Sequence, residues 1–262
     1  MQPEIDIGPV TLQTFGLCFA LGFIAAGAVL ARRLTELSRP PDWAYEMVFA
    51  ALIGGVVGAR IDFLIQNWSD VSDDLLGNIF SGSGLVWFGG AIGGAVAVVA
   101  WGAWRGIRGW AIADLAAVPL ALGYAIGRIG CQFSGDGDYG QPWDGPWAMA
   151  YPEGTVATDV PVHPTPIYET LAMGLVAYTL WRLRDRVATG MLFALYLVLA
   201  GTERLLIEFI RRNDDAALGL TQAQLISVAM ILVGGIWIAA RVRAGTFARP
   251  AADAEAPATT PA

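Results

Sequence analysis

The sequence predicts an all-α integral membrane protein with seven transmembrane helices, its N-terminus outside and its C-terminus cytoplasmic. Three observations carry this. Of 262 residues, 55% are hydrophobic and only 15% are charged. The apolar residues gather in blocks of membrane-spanning length with glycines scattered through them. All sixteen basic residues are arginine and fall unevenly between alternate connections.

The spans are expected at 10–31, 43–66, 85–104, 110–130, 164–183, 190–210 and 221–240. At ~1.5 Å per residue each can cross about 30 Å of hydrocarbon. The first follows the acidic "MQPEIDIG" and has no cationic n-region or small-residue cleavage site, so it reads as a retained helix. The second and third carry "GGVVGAR" and "GGAIGG", small residues at helical spacing that suit close helix packing. Gly89 and Gly90, just after a break, could instead let backbone amides approach a ligand. The fourth ends on Arg128, in "GRIGCQFSGDGDYG". The fifth opens at "HPTPIYE", where Thr165 and Pro166 read as N-cap and first helical residue. The sixth contains "GTERLLIEFIRR".

Arg32, Arg33 and Arg39 follow span 1, Arg105 and Arg108 span 3, Arg182, Arg184 and Arg186 span 5, and Arg241, Arg243 and Arg249 span 7. Only Arg211 and Arg212 fall on the other side, which places the N-terminus outside. Acidic connections containing Asp70, Asp73, Asp74, Asp138, Asp144, Glu153 and Asp159 then face outward. The net charge of −7 comes partly from these loops and implies no nucleic-acid partner. The organisation expected is a seven-span domain over 1–245, with an outward loop at 131–163 and a disordered Pro/Ala/Thr-rich tail over 246–262. Cys18 and Cys131 form no disulfide framework, and no metal spacing occurs.

Arg60, Arg128 and Arg204 remain, within or at the outer ends of spans, where a charge needs a reason. Arg204 and Glu208 are four apart and share a helix face with Arg211, so a structural ion pair is one reading. The other is an outward cavity where three guanidiniums meet and bind an anion. Guanidinium suits phosphate because its planar fork donates bidentately and stays protonated, and in a membrane the abundant phosphate is the lipid head group. His163, the single histidine, beside prolines, reads as a loop anchor or a base. Tyr168 and Glu169 lie one turn inside the fifth span, where a carboxylate also favours the helix N-terminus. Trp143, Trp147 and Tyr151 suit an interfacial belt or the floor of a groove for an apolar peptide.

Taken in order, "FGGAIGG", "GRIG…SGDGDYG", "HPTPIYE", "ERLLIEFIRR" and "LGLTQAQLISVAMILVGG" resemble the bacterial prolipoprotein diacylglyceryl transferase family over nearly the whole chain. The resemblance implies transfer of the diacylglyceryl group of phosphatidylglycerol to the lipobox cysteine of a prolipoprotein, releasing glycerol phosphate, in the bacterial inner membrane and without a cofactor. By position it implies catalytic roles for Arg128, Asp136, His163, Arg204 and Glu208. It implies phosphatidylglycerol contacts for Arg60, Gly89, Gly90, Arg128, Gly140, Tyr168 and Glu169. The chain departs from the family in having Phe88 where a histidine precedes the double glycine, and Phe15 and Ala200 where tyrosines are common. Phenylalanine takes no proton, so proton handling falls to Asp136, Glu208 and His163 or to the arginine field. The alternatives are a divergent phospholipid-binding homologue with another acceptor, and a small-anion transporter, which should show broken helices at mid-membrane depth.

Overall fold

The computed structural model describes residues 2–68, 86–217 and 219–248. Each apolar block is a helix: α1 (Thr14–Glu36), α2 (Trp43–Gln66), α3 (Trp87–Trp104), α4 (Trp110–Ser134), α5 (Thr165–Leu183), α6 (Met191–Glu208) and α7 (Gln222–Arg243). Helix α1 outruns its expected end because Arg33 and Glu36 pair across one turn at 3.1 Å. Helices α1, α2, α4 and α7 are long and apolar enough to cross a membrane, and α3 is a shorter apolar helix. Helix α6 is as apolar but carries three charged residues, Glu203, Arg204 and Glu208, in its last turns. Large apolar side chains such as Ile92, Val96, Leu171, Leu175 and Ile236 point outward, an arrangement that suits lipid rather than water.

Among the described residues, three two-stranded antiparallel sheets punctuate the helices. They are β1 (Glu4–Ile7) with β2 (Val10–Gln13), β3 (Met149–Tyr151) with β4 (Thr158–Val162), and β5 (Asp215–Ala217) with β6 (Leu220–Thr221). The β3–β4 hairpin lies in the stretch expected as a loop. It forms around a small core in which the Tyr139 and Tyr151 rings stack 4.7 Å apart beside buried Val162. Tyr151 also donates to Gln132 at 2.9 Å, and burial pushes its phenol up to about 12.

The chain forms two compact units, Ala31–Ile112 and Met1–Leu30 with Ala113–Ala262. In the first, glycines let α2 and α3 meet backbone to backbone. A Cβ on Gly58 would lie 2.8 Å from the Gly93 Cα, and one on Gly54 2.6 Å from the Gly93 carbonyl. The Gly89 amide donates to Asp62 at 2.9 Å, and a Cβ on Gly90 would sit 3.4 Å from that of Ala59. Both glycines therefore serve the helix pairing directly. At the other end Glu46 accepts from Trp101 at 2.9 Å and Arg105 at 2.7 Å.

In the second unit the core lies between α4, α5 and α6, where Ala117, Ala121, Met173, Leu180, Met191 and Ala194 are buried. Gly201 and Gly234 bring α6 and α7 together, since a Cβ on either would fall 3.0 Å or less from the other helix. Asp114 on α4 accepts from the Gly190 and Phe193 amides at 2.6 and 2.9 Å and so satisfies the first turn of α6. The Phe247 carbonyl accepts from the Ala188 amide at 2.8 Å. The rest of the expected tail, and the connection with Asp70, Asp73 and Asp74, lie outside the described residues.

Candidate active site

At the end of α4, Arg128 looks across to α5 and the loop beyond its own helix. It forms ion pairs with Asp138 and with Glu169, and donates to the Tyr124 hydroxyl at 2.9 Å. Tyr124 sits one turn earlier on the same face and donates in turn to Glu169 at 2.6 Å. Glu169 is 0% exposed, and a carboxylate so deep is tolerated only because cations surround it. Arg211 pairs with it at 3.1 Å and Arg204 approaches at 3.8 Å. Arg211 also pairs with the second oxygen of Asp138, so that carboxylate bridges two guanidiniums. Burial pushes the Asp138 carboxyl up, but Arg128 and Arg211 outweigh it and hold the group below the usual carboxylate range.

Arg204 completes the arrangement from α6. It binds Glu208 at 2.9 Å, while its buried second amino nitrogen has no hydrogen-bond partner. Glu208 accepts from Asn213 and from Thr221, each at 2.7 Å. Thr221 is also the N-cap of α7: its hydroxyl accepts from the Gln224 amide at 3.2 Å, and the Gln224 side chain accepts from its amide at 3.0 Å.

Expected and observed geometry differ in several places. Asp136, expected to handle protons, makes a local turn contact. Its carboxylate accepts from the Asp138 amide at 3.2 Å, the short-range turn bond typical of aspartate, and Asp138 two residues on takes the arginines. The left-handed backbone at Gly135 and Gly137 lets the chain double back so that Asp138 reaches them. Thr165 does not cap α5; its hydroxyl donates at 2.5 Å to the Asp138 carbonyl and fixes the same loop. Gly140 is held by its own amide, which donates to the His163 carbonyl at 2.8 Å, and a Cβ there would strike the Ile210 carbonyl and His163.

His163 stacks on Trp143 at 4.3 Å and lies 3.5 Å from the Tyr168 hydroxyl, which accepts from Trp147 at 2.7 Å. His163 and Tyr168 thus belong to an aromatic ledge beside the hairpin. Arg60 lies in the other unit, 8% exposed, with its guanidinium 5.1 Å from the Phe63 ring. Tyr124, Asp138, Glu203 and Arg211 were not among the residues expected at the site. Tyr124 had a signal in its spacing, one turn from Arg128, and Arg211 in the helix face it shares with Arg204.

The arginine surplus expected from the sequence is largely neutralised here, since Arg128, Arg204 and Arg211 meet Asp138, Glu169 and Glu208. The ligand atoms of Cys131, Asp136 and Asp138 lie within 4.8 Å of one another. Arg128 already donates to the Cys131 sulfur at 3.6 Å and pairs with Asp138, so a guanidinium sits where a cation would. The cluster can hold an anion that replaces the most exposed of its carboxylates.

Comparison with known proteins places the chain in a family. A family model described as prolipoprotein diacylglyceryl transferase matches residues 3–240. Three relatives named phosphatidylglycerol–prolipoprotein diacylglyceryl transferase are similar along most of their length. The one from Methylococcus capsulatus is 36% identical, over 90% of this chain and 93% of its own. That from Rhodospirillum centenum is 33% identical, over 95% and 94%. That from Mannheimia succiniciproducens is 31% identical, over 90% and 92%.

Proposed function

Because the chain belongs to the prolipoprotein diacylglyceryl transferase family, we infer that it is a membrane transferase. It moves the diacylglyceryl group of phosphatidylglycerol to prolipoprotein. The acceptor is the thiol of a lipobox cysteine, and glycerol phosphate is the leaving group. We take the chain to cross the bacterial inner membrane seven times with its N-terminus outside, as one catalytic domain over 1–245, with the 131–163 segment and the arginine cluster facing outward.

The observation that carries the mechanism is the Asp138 carboxylate bridging Arg128 and Arg211. Its two oxygens stand where two non-bridging oxygens of a phosphodiester would bind the same guanidinium forks. Asp138 is 31% exposed at its side chain, the most open of the cluster's paired acids, and hangs on a glycine-flanked turn. Arriving phosphatidylglycerol displaces it, and the unbonded nitrogen of Arg204 supplies a further donor. As the glyceryl C–O bond breaks, negative charge grows on the phosphate oxygen. Arginines already held there by Glu169 and Glu208 stabilise that charge without reorganising. The nucleophile comes from the substrate peptide, and the aromatic ledge of Trp143, Trp147, His163 and Tyr168 offers it an apolar floor.

The helices bearing Arg128 and Arg204 stay helical throughout, α4 continuing past an internal proline at Pro119, which supports one-sided access over a transport path. The test is thioether formation on a lipobox peptide in vesicles containing phosphatidylglycerol. Wild-type chain should modify the peptide, and Arg128→Ala should lose about 10³-fold or more of the rate, the order seen when a charge-stabilising donor is removed. Wild-type inactivity despite correct insertion overturns the reading.

A further inference from the structure

Glu203 stands apart from the other acids of the cluster. It is only 8% exposed, yet one of its carboxylate oxygens is buried with no hydrogen-bond partner. A buried carboxylate normally satisfies both oxygens, because leaving one bare costs the full desolvation of that group. Glu208 also has a buried oxygen without a hydrogen bond, but that oxygen is ion-paired with Arg204 at 2.9 Å, and Asp138 and Glu169 are likewise engaged by guanidiniums. The groups acting on Glu203 are Tyr124 and Arg128 from α4, Glu169 from α5, Tyr196 and Arg204 from its own helix, and Arg211 just beyond. It is therefore an acid inside the arginine cluster with an open acceptor position.

Resting on the transfer reading above, we propose that Glu203 is a catalytic residue that accepts the proton of the incoming cysteine thiol. A thiol is a poor nucleophile until ionised, and an apolar lipobox segment can bring it into a buried site that water would not favour. In the step, the S–H proton passes to the free Glu203 oxygen and the sulfur electron pair forms the C–S bond at the glyceryl carbon. The C–O bond to phosphate breaks, its electron pair leaves on the phosphate oxygen, and the proton follows the departing glycerol phosphate. Charge balance favours this order. With Asp138 displaced, Arg128, Arg204 and Arg211 face Glu169, Glu208 and the lipid phosphate, three cations against three anions once Glu203 is protonated.

The experiment compares wild type, Glu203→Gln and Glu203→Asp in phosphatidylglycerol vesicles. The acceptors are lipobox peptides bearing cysteine or selenocysteine, whose selenol is ionised at neutral pH. Glu203→Gln should lose about 10²–10⁴-fold in kcat on the cysteine peptide, keep its half-saturating lipid content, and recover most of the loss on the selenocysteine peptide. Glu203→Asp should retain more activity than the glutamine variant. Equal rates for wild type and Glu203→Gln on cysteine peptide, or an equal deficit on both peptides in a variant that unfolds at the wild-type temperature, would overturn the role of Glu203 alone. If Glu203→Gln does not insert, Glu203→Asp decides by the same selenocysteine-to-cysteine ratio, which must rise above that of wild type. An inactive wild type overturns the transfer reading, and this assignment with it.

Discussion

Replacing Asp138 by asparagine should make the enzyme bind its lipid more tightly. In the resting protein Asp138 holds one oxygen on Arg128 and the other on Arg211, and phosphatidylglycerol must displace both contacts. A hydrogen bond to a charged group contributes about 1.5–3 kcal/mol. With the side chain 31% exposed, solvent screening lowers that, and asparagine keeps one weaker acceptor. A net competition of roughly 1–2 kcal/mol remains, and at 1.4 kcal/mol per decade it corresponds to about a fivefold to thirtyfold change. Asp138→Asn should therefore lower the half-saturating phosphatidylglycerol fraction by that factor, measured in mixed vesicles at fixed peptide and salt. The same substitution reports through pH. Because the Asp138 carboxyl lies below its ordinary range when folded, its stabilising effect is present above about 3.9, the unfolded value. That effect is lost as pH falls through the lower folded value. Wild type should lose thermal stability in acid more steeply than the variant. An Asp138→Asn enzyme whose half-saturation equals or exceeds wild type would refute the idea that this carboxylate holds the phosphate's place.

Three other substitutions probe separate parts of the molecule. Arg204→Lys keeps the charge but loses the planar fork that binds Glu208 and offers a free nitrogen; kcat should fall about 10²-fold with insertion unchanged. Thr221→Val removes both the α7 cap and a donor to Glu208; at roughly 1 kcal/mol for each, the unfolding temperature in detergent should drop and the transfer rate should fall with it. Gly58→Leu puts a side chain where even a Cβ comes within 2.8 Å of the Gly93 Cα, so α2 and α3 should separate, seen as lost cross-linking between cysteines introduced at Ala59 and Gly90, whose Cβ positions lie 3.4 Å apart.

The helices were legible because each is an apolar run bounded by loop residues: the expected 43–66 is α2 to the residue. What the sequence left obscure lies where local signals are weak. The short hairpins at 4–13 and 149–162 owe their pairing to contacts such as Tyr139 on Tyr151, which spacing does not announce. Charge placement along the spans pointed to Arg60, Arg128 and Arg204 with Glu208; the last three lie in one cluster, whereas Arg60 belongs to the other compact unit. Asp138 looked like one of many solvated loop acids; only the turn at Gly135 and Gly137, closed by Thr165, carries it inward. Glu203 was hidden by its neighbour. Helical spacing ties Arg204 to Glu208 and leaves the adjacent acid without an evident purpose, and its burial depends on how α4, α5 and α6 pack.

The Thr221 hydroxyl faces two ways, receiving a hydrogen bond from the first turn of α7 and giving one to Glu208, which in turn grips Arg204. The seating of α7 is thereby wired to the posture of an arginine in the proposed reaction centre. A small molecule or antibody that prises the first turn of α7 from α6 would slacken that wire and disarm Arg204 without entering the lipid site. For an enzyme whose own pocket is crowded with charge and filled by a membrane lipid, that joint is a handle for inhibition that need not compete with the substrate.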